Sequence, residues 1–175
     1  VIDDSLTGLA ETLADTAAAV VLKYFRGPLD IDDKPDASPV TIADKQAEAA
    51  MRSVIEDARP EHGIIGEEMD DRNPDSEYVW VLDPIDGTQS FVTGKPVFGT
   101  LIALMQGGRT VLGVLDMPAL DERWIGIEGL STTFNAKPVT TRACEGIGEA
   151  WLYATSPHMF KDADFPDFER LRKAS

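Results

Sequence analysis

The chain has 175 residues, 43% of them hydrophobic, and carries a formal net charge of −15. This length predicts one domain with a sizeable core, and the apolar share argues against an intrinsically disordered protein. The negative charge argues against nucleic acid and anionic membranes as partners, because both would be repelled. We therefore expect a globular acidic protein with neither kind of partner.

The content of cysteine and histidine limits both the compartment and the metal chemistry. Cys144 is the single cysteine and cannot form an internal disulfide, which fits a reducing cytoplasm. With one Cys and two His in the chain, a closed structural zinc site is not expected. No continuous apolar stretch has the length of a membrane span, and no basic-then-apolar signal pattern begins the chain. These features predict a cytoplasmic protein.

Hydrophobic spacing in the first third of the chain predicts two amphipathic helices. Apolar residues recur at helical intervals from about residue 4 to 25, and Gly27-Pro28 ends this helix. The turn-rich segment 27–39 predicts a loop or a loose hairpin. The second helix begins with a capping box at residues 41–44 and ends near Ala58, because a proline follows two residues later.

The remainder of the chain is dominated by short apolar runs that predict strands. They lie at residues 64–65, 78–82, 97–105, 111–115, 123–127 and 151–154, with one helical turn at 89–92. The runs on either side of Gln106-Gly107-Gly108-Arg109 predict a hairpin. Pro84 lacks an amide proton, so the strand before it should stop there. We expect Trp80 and Trp151 in the core and a helical pattern in the charged tail beyond Lys161. Because strands follow directly on strands, the fold class is α+β, with a largely antiparallel sheet flanked by helices.

The segment Asp83-Pro84-Ile85-Asp86-Gly87-Thr88 carries the clearest chemical signal. Two carboxylates on a short turn after a buried strand are hard oxygen ligands of the kind that Mg²⁺ prefers. Gly87 lets the backbone approach a ligand, and the Thr88 hydroxyl can orient a water. Asp-Pro and Asp-Gly are also common turn dipeptides, so each Asp by itself is equally well explained as a turn residue. In combination, the residues favour a metal site.

A second acidic pair, Glu67-Glu68, follows the predicted strand at 64–65. Alternation at a strand end points one side chain into a site and the other away. A Glu pair alone is more often a solvated turn, but neighbouring strand ends would bring it to Asp83 and Asp86. Three convergent carboxylates can hold two Mg²⁺ ions, with the Ile85 backbone carbonyl as a further ligand. Bound cations would reverse the local negative charge and admit a phosphate.

These motifs resemble a known enzyme family. GEE at 66–68, DPIDGT at 83–88 and SPVTIAD at 38–44 resemble the Mg²⁺-dependent, lithium-sensitive phosphatases related to inositol monophosphatase. The stretch from Trp80 to Gly126, with GTLIAL and GVLDMPALDERW, and the later KPVTTRAC are similar to the bacterial histidinol-phosphate phosphatase branch. The resemblance covers nearly the whole chain. It implies a layered αβαβα sugar-phosphatase sandwich, of which the chain contains mainly the N-terminal half.

The resemblance also implies roles for individual residues. It implies that the metal ligands are Glu67, Asp83, Asp86 and the Ile85 carbonyl. The implied catalytic residues are Asp44, Thr88 and Glu68. The implied phosphate-binding residues are Gly87 and Thr88. Asp44 and Thr88 would position the attacking water and Glu68 would lie near a further metal, although the capping box alone also explains Asp44. The implied cofactor is two or three Mg²⁺ ions, with inhibition by Li⁺, and the implied assembly is a homodimer. The implied reaction is in-line attack by a metal-activated water on a phosphate monoester.

Several substrates and one different function remain open. L-Histidinol phosphate, in histidine biosynthesis, is the expected small phosphorylated substrate. Inositol 1-phosphate, fructose 1,6-bisphosphate and 3′-phosphoadenosine 5′-phosphate are the alternatives within the family. A protein that binds metal or phosphate without catalysis is the alternative outside it. Nothing after Cys144 matches the second metal-binding half of the family, so we expect residues 1–175 to be a single domain and the N-terminal portion of such a phosphatase.

Overall fold

A computed structural model of the chain describes residues 2–27, 31–33, 39–156, 159–161 and 163–175, with only the backbone described for residues 31–33 and 39–40. Contacts divide the chain into two compact units, Val1–Val139 and Thr140–Ser175. The first unit contains both sheets and three of the helices, and the second contains a short C-terminal helix.

The helices begin and end close to where the sequence predicts. They are α1 (Asp4–Tyr24), α2 (Ile42–Ala58), α3 (Thr88–Val92) and α4 (Phe165–Ala174), with a 3₁₀ turn at Ile147–Glu149. The Asp3 carboxylate caps α1 by accepting from the Ser5 N–H at 2.8 Å. Thr41 and Asp44 form the predicted capping box at the start of α2. Local capping chemistry therefore sets the first turn of both long helices.

The strands form one small sheet and one large sheet. They are β1 (Ile31–Asp33), β2 (Pro39–Thr41), β3 (Gly63–Gly66), β4 (Tyr78–Asp86), β5 (Gly99–Gln106), β6 (Arg109–Met117), β7 (Glu122–Ile127), β8 (Thr133–Phe134) and β9 (Lys137–Pro138). β1 and β2 pair antiparallel, and β3 to β9 lie side by side in chain order in a seven-stranded sheet. Within the described sheet β3 and β4 are parallel, and the other neighbours are antiparallel. The predicted α+β class and the hairpin of β5 and β6 are confirmed.

The core lies between the two long helices and the sheet. α1 and α2 pack on each other, α1 contacts β5 and β6, and α2 contacts β4. Trp80 is fully buried, as predicted, and its indole N–H donates to His62 Nδ1 at 3.1 Å. Burial lowers the pKa of His62, in agreement with an unprotonated Nδ1 that accepts this bond. By length and composition α1 would suffice to cross a membrane, but seven of its apolar side chains are core residues here: Leu6, Leu9, Ala10, Leu13, Ala14, Ala17 and Val21.

β4 differs from the prediction because it continues beyond Pro84 to Asp86. Its register with β5 pairs Asp83 with Leu101 and then Asp86 with Gly99, so the ladder slips in between. Pro84 has no N–H to donate, and a bulge at this point accommodates its absence. The Thr100 hydroxyl on β5 donates to the Pro84 carbonyl at 2.8 Å and holds the bulge against the sheet.

The C-terminal unit contradicts two predictions. Residues 151–154 form no strand, and Trp151 is 77% exposed rather than in the core. A strand needs a neighbour for its backbone groups, and none of the described residues of this unit is in a strand. The helical pattern of the tail is confirmed, because Phe165–Ala174 forms α4. On this helix Phe168 stacks on Phe160 with ring centroids 4.2 Å apart.

Candidate metal and phosphate site

The parallel pairing of β3 with β4 brings the two acidic motifs together. Gly66 pairs with Leu82, so Glu67 and Asp83 each follow a paired residue at the same edge of the sheet. The Glu67 N–H donates to the Leu82 carbonyl at 3.2 Å, which continues the pairing by one residue. The carboxyl groups of Glu67 and Asp83 lie within hydrogen-bonding reach of each other. The convergence of these two side chains, predicted from the sequence, is therefore present.

Asp83 occupies an environment that disfavours its negative charge. Burial, followed by the neighbouring Glu67 carboxylate, raises the pKa of Asp83 to about 7, and the charge of Asp86 adds to the effect. Its Oδ1 atom is buried and has no hydrogen-bond partner among the described residues. A buried carboxylate oxygen without a partner is costly unless a cation approaches it. The donor set, hard carboxylate oxygens around this atom, fits a divalent cation such as Mg²⁺.

The carboxylates of Glu67, Asp83 and Asp86 are not arranged around a common point at which a cation would bind. Within the described part of the chain, no group of three or more His, Cys, Asp or Glu side chains is arranged as a metal cage. Glu67 and Asp86 are exposed, whereas Asp83 is half-buried. A bound ion would therefore have to draw the two exposed carboxylates towards Asp83. The metal-binding roles of these residues stay predictions.

The bulge in β4 shapes the rest of the hexapeptide. The Ile85 side chain is buried, and its backbone carbonyl accepts from the Thr88 hydroxyl at 3.1 Å. Gly87 has φ 87°, and a Cβ at this position would lie 3.2 Å from the Val97 carbonyl oxygen. Only glycine adopts this left-handed turn without strain at so close an approach. The turn ends β4 and begins α3 at Thr88.

Asp44, whose catalytic role is a prediction, also forms hydrogen bonds with Thr41 that cap α2. It is 2% exposed, and its Oδ2 accepts from the Thr41 N–H at 2.9 Å and from the Thr41 hydroxyl at 2.5 Å. α3, which begins with Thr88, packs against β2, the strand that leads into α2. The fold thus brings the beginnings of α2 and α3 into the same region. Ser38, the first residue of the SPVTIAD motif, lies outside the described residues.

Sequence reasoning missed two charged residues behind the acidic pair. Glu48 is fully buried on α2, where its Oε1 accepts from Arg52 Nε at 2.8 Å. Its Oε2 accepts from the backbone N–H of Glu68 at 2.8 Å. The sequence did contain one sign of this pair: Glu48 and Arg52 have opposite charges and are four residues apart, on the helix face that also buries Met51 and Ile55. Such a pair is usually interpreted as solvated, and only its burial marks it as unusual.

The fold and the sequence define the class of protein. A sequence model of the inositol monophosphatase family matches residues 3–171, and the chain belongs to this family. An inositol monophosphatase structure from Zymomonas mobilis is 46% identical and superposes with a TM-score of 0.86. The match covers 98% of this chain and 66% of that one. The family resemblance and the fold class predicted from the sequence are confirmed.

Curated relatives of the chain include a bifunctional phosphatase and histidinol-phosphatases. It is 50% identical over 171 residues to the bifunctional phosphatase IMPL2, chloroplastic, of Arabidopsis thaliana, covering 97% of this chain and 49% of the relative. It is 43% identical over 129 residues to the histidinol-phosphatase of Mycobacterium tuberculosis, covering 73% of this chain and 48% of the relative. The chain therefore spans about half the length of the curated relatives it matches.

Proposed function

We propose that the protein is a Mg²⁺-dependent phosphomonoesterase acting on a small phosphorylated substrate. The observation that carries this proposal is the buried Oδ1 of Asp83, which has no hydrogen-bond partner among the described residues and lies beside the Glu67 carboxyl group, in a chain of the inositol monophosphatase family. Glu67, Asp83, Asp86 and the Ile85 carbonyl would hold the metal, with Glu68 near a further ion. Two or three Mg²⁺ ions and inhibition by Li⁺ are part of the proposal.

The chain's own residues would divide the work of the reaction. When bound, Mg²⁺ would activate a water molecule and stabilise the entering and leaving oxygens. Thr88 would orient that water with its hydroxyl, and Asp44 would help to position it from the buried start of α2. The N–H groups of Gly87 and Thr88 would bind a phosphate oxygen. With a net charge of −15, the carboxylates repel phosphate until their charge is neutralised.

L-Histidinol phosphate is the proposed substrate, which would place the enzyme in histidine biosynthesis. In support, relatives named histidinol-phosphatase are 40% and 43% identical, above the 32% of a relative named inositol-1-monophosphatase. Inositol 1-phosphate, fructose 1,6-bisphosphate and 3′-phosphoadenosine 5′-phosphate are the alternatives. The cytoplasmic location, the homodimer and the description of the chain as an N-terminal portion remain predictions.

The test measures phosphate release by the intact protein. We expect release from histidinol phosphate to exceed that from the three alternative substrates, to require Mg²⁺ and to stop with a chelator. Asp86→Asn should reduce the rate at least tenfold, because it removes a proposed metal ligand. Asp57→Asn makes the same chemical change at an exposed position on α2 and should leave the rate unchanged.

Two outcomes would contradict the proposal in different ways. A rate near that of the wild type in Asp86→Asn would refute the metal assignment. Mg²⁺ binding by calorimetry without phosphate release from any of the four substrates would instead favour the non-catalytic binding protein.

A further inference from the structure

We propose that the buried Glu48–Arg52 pair is a positioning device that presents the Glu67 carboxylate to the metal. This inference rests on the proposed function, because it takes Glu67 as a metal ligand. Glu48 and Arg52 lie on α2, and Glu67 lies in the segment that leaves β3. Neither residue of the pair is proposed to touch the metal or the substrate.

The pair holds the backbone on the C-terminal side of Glu67. Glu48 Oε2 accepts from the N–H of Glu68 at 2.8 Å, and Arg52 Nη2 donates to the Met69 carbonyl at 3.1 Å. Arg52 Nε joins the two contacts by donating to Glu48 Oε1 at 2.8 Å. The Glu48 carboxylate thus bonds the backbone N–H of Glu68, and the Arg52 guanidinium bonds the backbone C=O of the next residue, Met69.

The same pair also shapes the N-terminal side of Glu67. A Cβ on Gly66 would lie 2.0 Å from Glu48 Oε1 and 2.6 Å from Arg52 Nη2. The absence of a side chain at Gly66 is therefore what lets the pair reach the segment. The Glu67 N–H is itself bonded to the Leu82 carbonyl on β4. The backbone is consequently held by hydrogen bonds at Glu67 and at the two residues after it.

The burial of the pair indicates a role other than stability. Glu48 is fully buried and Arg52 is 7% exposed, on a helix that also buries Asp44 of the capping box and four apolar side chains, Ala43, Ala47, Met51 and Ile55. Removing two charges from water costs about as much as their mutual attraction returns, so apolar residues would serve the core at least as well. What apolar residues cannot supply is an acceptor for the Glu68 N–H and a donor to the Met69 carbonyl. Groups that orient a ligand from behind commonly set metal affinity.

The experiment measures Mg²⁺ affinity in the intact protein by calorimetry, together with the midpoint of thermal unfolding without metal. Glu48→Gln keeps an acceptor for the Glu68 N–H but places an amide against Arg52. Arg52→Lys keeps the charge but loses the planar fork that bonds Glu48 and Met69 at once. We expect each variant to raise the Kd for Mg²⁺ about tenfold or more.

The matched control is Ile55→Ala, on the same helix. Ile55 is fully buried and seven residues from Glu48, about 10 Å along the axis. This variant should lower the unfolding midpoint and leave the Kd for Mg²⁺ within about twofold. If Ile55→Ala weakens Mg²⁺ binding as much as the two charge variants do, the loss reflects stability and the positioning role is wrong.

The remaining outcomes separate the positioning role from the proposed function. No Mg²⁺ binding by the wild-type protein would overturn the proposed function. Binding by the wild type with an unchanged Kd in Glu48→Gln and Arg52→Lys would overturn the positioning role alone. If Glu48→Gln does not fold, Arg52→Lys decides the question by the same criterion.

Discussion

Replacing Gly66 by Ala is the most direct perturbation of the segment that carries Glu67. The added methyl group would lie 2.0 Å from Glu48 Oε1 and 2.4 Å from Glu48 Cδ, distances at which one of the groups must move. Glu48 is fully buried and its two oxygens are bonded to Arg52 and to the Glu68 N–H. It therefore cannot withdraw without breaking at least one of those bonds.

The expected cost follows from these contacts. Overpacking a well-packed interior costs about 1–3 kcal/mol. Removing one partner of a buried charged pair costs about 3–5 kcal/mol, which is an upper bound for pushing the two groups apart. Since relaxation of the segment would relieve part of each, we expect Gly66→Ala to lower the free energy of unfolding by about 3 kcal/mol.

The assay is urea unfolding of the metal-free protein, with Gly113→Ala as the control. Gly113 also lies within a strand, β6, but a Cβ there would meet nothing within 4 Å. We expect Gly113→Ala to change the free energy of unfolding by less than about 1 kcal/mol, since alanine costs less conformational entropy than glycine. A loss below about 1 kcal/mol in Gly66→Ala would show that Glu48 is not held as described.

Three further predictions concern other parts of the N-terminal unit. Because the pKa of Asp83 is raised from 3.8 to about 7, this group stabilises the metal-free protein below about pH 4, and the contribution is lost as the pH rises through about 7. The midpoint of urea unfolding, measured between about pH 4 and 8, checks this. Binding of Mg²⁺ at Asp83 should also release protons near about pH 6. Proton release makes the calorimetric heat depend on the buffer. Gly87→Ala should lower the free energy of unfolding by about 1–3 kcal/mol and reduce phosphate release, because Gly87 has φ 87° and the new Cβ would lie 3.2 Å from the Val97 carbonyl oxygen. An unchanged free energy of unfolding would contradict the strained turn. Arg123→Ala should cost about 3 kcal/mol in urea unfolding, since it removes the partner of the buried Asp116 carboxylate at 2.7 Å, and a loss near zero would refute the pairing.

The ends of the helices were predictable because their signals are local. α1 ends at Tyr24, just before Gly27, and α2 begins at the Thr41–Asp44 capping box and ends at Ala58. Each signal acts through hydrogen bonds or backbone restrictions within four residues, so no distant contact is needed to interpret it. The predicted strand at 151–154 was wrong for the opposite reason. Strand formation depends on a neighbouring strand, which the local pattern does not reveal.

The candidate site was partly predictable. The sequence indicated Glu67 and Asp83 as neighbours, and the parallel register of β3 and β4 places them within hydrogen-bonding reach. The predicted stop at Pro84 was wrong, because a bulge in β4 accommodates the missing N–H, while the Thr100 hydroxyl on the neighbouring strand donates to the Pro84 carbonyl. The catalytic roles of Asp44, Thr88 and Glu68 stay predictions, to be tested by mutation.

By itself, the sequence determined the family, the α+β class and the acidic residues that gather at one edge of the sheet. These follow from motifs and periodicities that are complete within short segments. Only the tertiary structure decided that Glu48 and Arg52 are buried behind the Glu67 segment, and that Asp83 has a buried oxygen with no hydrogen-bond partner in the described part of the chain. Burial depends on which elements cover a residue, and for these residues those elements come from distant parts of the chain. A charge on a helix looks the same in the sequence whether it faces water or the backbone of another segment.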